Sequence, residues 1–76
     1  MDLQSVLNYL VLADIHVGDG QRQIAEQEVF IQQMEQDGED TTACRALLAI
    51  LIQSQAEQCA DRDDLVRDVV KIRQPD

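Results

Sequence analysis

The stretch EQDGEDTT, residues 35–42, decides how this chain folds. Gly38 suits the position just past a helix C-terminus, where the backbone turns left-handed and a Cβ is costly. Two residues on, Asp40 or Thr41 can cap a new helix by accepting a hydrogen bond from its free amides. One helix therefore ends here and another begins. With helical patterning on both sides, the reading is all-α: an antiparallel hairpin with helices over about 2–36 and 42–72 and a turn at 37–41.

Upstream of the turn, steps of seven connect Leu3, Leu10, Val17, Ile24 and Ile31. Three residues after each come Val6, Ala13, Gly20, Gln27 and Met34. Such a heptad stripe is what a helix needs to pack along a neighbour, and it softens at Gly20 and Gln27. Downstream, the inward stripe reads Cys44, Leu47, Leu48 and Leu51, then polar Gln55 and Gln58, then Leu65, Val69 and Ile72. Folding back about Gly38 sets the two soft stretches roughly opposite each other. A break or kink at Gly18–Gly20 is the competing reading, since a glycine in a helix interior costs about 1 kcal/mol. Against it, Leu10, Val17 and Ile24 keep phase across the glycines.

Seventy-six residues make one domain, in the range where a single core is marginal and oligomerisation is a common supplement. With one Phe, one Tyr and no Trp, the core must come from Leu, Ile, Val and Ala, which favours helix on helix. The charge of −9, from 15 acidic and 6 basic residues, leaves no basic patch for a phosphate backbone or an anionic lipid surface. It fits plain solubility, a basic protein partner or mimicry of nucleic acid. No run reaches the roughly 18 apolar residues of a membrane span, and the start MDLQS lacks a basic leader segment. Cytoplasm is the compartment expected. Cys44 and Cys59, fifteen positions apart on one helix, lie too far apart for a disulfide and read as small apolar residues.

Nine of the ten residues in ACRALLAILI, residues 43–52, are hydrophobic. One facing helix cannot cover such a segment, so a further partner is expected. At about 100° per residue, Ile52, Cys59, Val66 and Val70 fall on a flank of the second helix, while Leu7, Val11 and Ile15 form a second stripe on the first. These seven are the expected partner-binding residues. Two hairpins burying each other's flanks as a four-helix bundle is one cover; a different protein is the other. The acids Asp61, Asp63, Asp64 and Asp68 read as a solvated face that can steer a basic partner.

No catalytic constellation or cofactor motif is present. His16 with Cys59 or Asp61 offers two or three metal ligands where structural zinc wants four, and Asp37–Asp40 lacks the alternation of a calcium loop. The reading is therefore a non-enzyme without metal or cofactor.

The segment from Leu12 to Leu65 also resembles a family of short helical-hairpin proteins of rhizobia and related α-proteobacteria. The resemblance lies in His16-Val17 with Gly20, in Ile24-Ala25 with Gln27, and in Asp37-Gly38 with Asp40-Thr41. Ala43 or Ala46 with Leu47-Leu48, and Ala60-Asp61-Arg62-Asp63, complete it. The chain departs from the pattern in its apolar stretch Ala49–Ile52 and its apolar first seventeen residues. In size and acidity it is similar to QseM-type quorum-sensing antiactivators. That resemblance implies a small protein that binds and inactivates a LuxR-type transcription activator. A structural or accessory homodimer without a regulatory target, or an acidic nucleic-acid mimic, is the alternative.

Overall fold

A computed structural model describes residues 2–74. Two helices account for almost all of them: α1, Leu3–Gln36, and α2, Thr42–Arg73. They run antiparallel as a hairpin 62 Å long and about 15 Å thick. Asp2 starts α1 by accepting the Ser5 amide at 2.8 Å. At the other end, Glu39 N–H donates to Met34 O and Gly38 N–H to Glu35 O. With φ of 73° at Gly38, this is a Schellman turn, which satisfies the last carbonyls of α1. Asp40 does the capping of α2, accepting both the amide and the hydroxyl of Thr42. Hydrogen bonds from Ser5 and Thr42 hold the Asp2 and Asp40 carboxyls below their usual pKa. Their stabilising effect is present above the ordinary carboxylate pKa and is lost as the pH falls through the lowered value.

The seam between the helices follows the heptad count. In α1, all ten residues named for the stripe are buried or half-buried, from Leu3 to Met34. Val6, Val17 and Ile31 are the fully buried ones. In α2 the half-buried stripe is Cys44, Leu48, Leu51, Gln55, Gln58, Arg62, Leu65 and Val69, spaced alternately by four and three. The first helix is continuous through Gly18–Gly20, with no positive φ there, so the break does not occur.

Two residues of the expected α2 stripe lie outside the seam. Leu47 is 47 % exposed, because its neighbour Leu48 takes the inward position and pushes it onto the flank. Ile72 is 41 % exposed at the open end, where little of α1 remains to cover it. Arg62 fills the stripe where no apolar residue was available. Its stem lies in the seam while its guanidinium reaches out towards Asp14 and Asp63.

This packing makes Ile31→Ala the costly substitution, at about 2–5 kcal/mol, because it opens a cavity in the seam. Leu47→Ala should cost far less. Urea unfolding of the two variants checks this, and equal losses would put Leu47 in the core.

Candidate functional site

The polar middle of the seam is built around an absent side chain. Gln55 reaches across from α2, and its Nε2 donates to the Val17 carbonyl at 2.9 Å. A carbonyl only accepts, so the amide's orientation is settled and its oxygen points the other way. That oxygen, Gln55 Oε1, is buried and has no protein donor. It lies where a Cβ on residue 20 would stand, so Gly20 is the notch that admits it. Nearer the turn, Gln27 Nε2 donates to Cys44 O at 3.1 Å, and Cys44 Sγ meets Met34 Sδ.

On either side of the seam runs an edge. Heptad geometry places Leu7 on one of them with Ile52, Cys59 and Val66, and Val11 and Val70 just outside; we term this the Val66 edge. Ion pairs Arg45–Glu35, Arg62–Asp14 and Arg62–Asp63 mark the same side. Val11, Ile52, Val66 and Val70 are 44–59 % exposed. Leu7 and Cys59 are half-buried, because they border the seam. Ile15 is exposed farther out, on the back of α1.

Opposite lies the Phe30 edge, a groove of three adjoining pockets of about 240, 220 and 450 Å³. Tyr9 and Leu12 stand at one end, Phe30 and Leu47 at the other, all half-exposed. His16, Gln23, Ser54 and Gln58 line the polar middle beside Gln55. Asp61 faces the His16 end and Glu26 the Phe30 end.

The residues singled out in the sequence are thus divided. The apolar set collects on the Val66 edge, apart from Ile15. Of the acids, Asp61 and Asp68 flank the opposite side of the seam and Asp64 lies behind them, whereas Asp63 borders the Val66 edge. His16 shares a pocket with Asp61, while Cys59 lies on the other edge. Among the described residues, no three His, Cys, Asp or Glu side chains gather as a metal site. Sequence reasoning missed the Phe30 edge, although the chain's only Phe and only Tyr sit 21 positions, or three heptads, apart on one side.

No helix among the described residues is long and apolar enough to cross a membrane. Compared with known protein families, with curated proteins and with solved structures, the chain matches none.

The notch makes the two neighbouring glycines respond differently. A Cβ at Gly18 meets nothing, so Gly18→Ala should stabilise the helix by up to about 1 kcal/mol. Gly20→Ala should bring no such gain, because Gln55 must swing away and lose its bond to Val17, worth about 1 kcal/mol. In a Gln55→Ala background the gain at residue 20 should return. Thermal unfolding of this double-mutant cycle decides it, and equal gains at both glycines would deprive the Gln55 contact of any energetic role.

Proposed function

We propose that the chain is a non-catalytic regulator that works by protein–protein contact, with the Val66 edge as its contact surface. The observation that carries this reading is surface left uncovered by the fold. The chain exposes 5690 Å², whereas a compact monomer of its 8.6 kDa would expose about 4,700 Å². Apolar side chains held in water along one edge are the mark of an interface. Leu7, Val11, Ile52, Cys59, Val66 and Val70, with Ile15 behind them, would supply apolar area worth about 25 cal/mol per Å² buried.

The most concrete form of the proposal is an antiactivator that binds and inactivates a LuxR-type transcription activator. That form rests on the sequence resemblance alone. The division of the edges changes the part played by charge. Asp61, Asp64 and Asp68 would act through the field of a molecule at −9 rather than within the contact, and only Asp63 stands beside it.

Self-association through the same edge is the second reading, and the excess surface favours it too. Stable interfaces bury about 1,200–2,000 Å² in total, which two such edges can provide without a different partner.

Sedimentation at micromolar concentration separates the readings. A homodimer should be dissociated by Val66→Ser with Ile52→Ser, both on exposed positions, while helicity stays near that of the wild type. Co-expression with a LuxR-type activator and a transcription reporter tests the other form: the wild type should silence the reporter and the double variant should not. An activator indifferent to the wild type ends the antiactivator form. A double variant that unfolds would make these residues core and end the contact-surface reading itself.

A further inference from the structure

We propose that the Phe30 edge is a second docking surface, made for a basic amphipathic helix of a partner protein. It goes beyond the reading above, because it uses the opposite edge and would survive the failure of the first. Three features of the groove converge on that occupant.

Its ends are apolar and its length suits a helix. Tyr9 with Leu12 and Phe30 with Leu47 form two anchor points, separated by 21 positions on α1. That is about 31 Å, the length of a helix of about 20 residues. A third helix laid there would put apolar side chains into the end pockets, as helix-in-groove recognition does.

Charge excludes a second copy and selects a cation-bearing one. On the Val66 edge, Arg45 and Arg62 offset Glu35, Asp14 and Asp63. In the groove, the charged side chains are Asp19, Glu26 and Asp61, and no Lys or Arg lines its three pockets. Asp19 is paired with Arg22, which leaves Glu26 and Asp61, one towards each end, without a cation in ion-pair range among the described residues. A second copy pairing through the same groove would set these acids against the same acids of its own, with no Lys or Arg in the groove to offset them.

The middle of the groove asks for a donor. Gln55 Oε1 is buried at the notch without a protein partner, beside a pocket of about 220 Å³. That oxygen is closed off in the notch, but Gln23, Ser54 and Gln58 on the rim of the pocket offer acceptors to an Arg or Lys at the centre of the docked helix.

The probe is a synthetic helical peptide of about 20 residues, with Leu on one face, Lys and Arg elsewhere, and no Tyr or Trp. Since the chain has one Tyr and no Trp, the fluorescence of Tyr9 reports on this edge alone. The peptide should bind one to one, perturb Tyr9, and weaken as salt rises. It should bind at least about tenfold more tightly than a shuffled peptide of the same composition, a gap of about 1.4 kcal/mol. Phe30→Ala with Leu47→Ala should weaken it by a similar factor, and Val66→Ser should leave it unchanged. Equal binding of the shuffled peptide would reduce the effect to net charge and overturn the proposal. So would loss of binding through Val66→Ser instead, or absence of binding at saturating peptide. Dissociation of a homodimer by the Phe30 and Leu47 substitutions would hand the groove to a second copy and overturn it equally. Neither equal binding of the shuffled peptide nor absence of binding bears on whether the Val66 edge makes its own contact, so the two readings fail separately.

Discussion

Two straight helices share one line of contact, and the rest of this structure depends on that limit. Each can turn a single heptad stripe towards the other, so the core is a seam one side chain deep, in which Val6, Val17 and Ile31 alone among the described residues are buried. The radius of gyration, 17.5 Å, stands against about 11 Å for a compact chain of this length. Apolar residues beyond the two stripes have no internal place to go. The exposed edges are therefore a consequence of the architecture, and they differ in charge: Arg45 and Arg62 offset acids on one, while no Lys or Arg lines the pockets of the other.

Within the seam, the notch at Gly20 serves alignment as well as packing. A polar residue at a seam position costs stability and sets register when only one alignment satisfies it. Gln55 meets that condition. Sliding α2 by one heptad would put its amide opposite Ala13 or Gln27, where a side chain fills the space that Gly20 leaves open. Thus the softest part of both stripes carries the information on how they align.

Much of this was legible in the residues themselves. The α1 stripe could be counted because no charged residue interrupts it, and Gly38 marked the turn through its need for positive φ. The α2 stripe was harder. Leu47 and Leu48 are adjacent, and periodicity alone does not say which of two neighbouring leucines points inward. Arg62 was passed over because a charged head hides an apolar stem. The notch was invisible, since a glycine reads as weakness until the side chain that enters it is placed. For the same reason the flanks looked like one surface. Angles around a single helix do not say which flank of α1 adjoins which flank of α2, and only the pairing of the two helices brings Leu7 to the side of Ile52, Cys59 and Val66, and Tyr9 and Phe30 to that of Asp61 and Leu47.

The Schellman turn has a bearing on the order in which this seam forms. Met34 and Cys44 are 10 positions apart in the chain, Gln27 and Cys44 are 17, and Val17 and Gln55 are 38. Closing the last pair directly would cost about 1 kcal/mol more loop entropy than closing the first. Once the turn has formed, each further pair closes only a few more residues. The hairpin is thus built to zip from Gly38 outward, with nearby contacts made before distant ones, which is the condition for fast folding. The last stretch to close is the open end, where Leu7 and Val66 stand, and there the chain's hold on itself is easiest to exchange for a hold on something else.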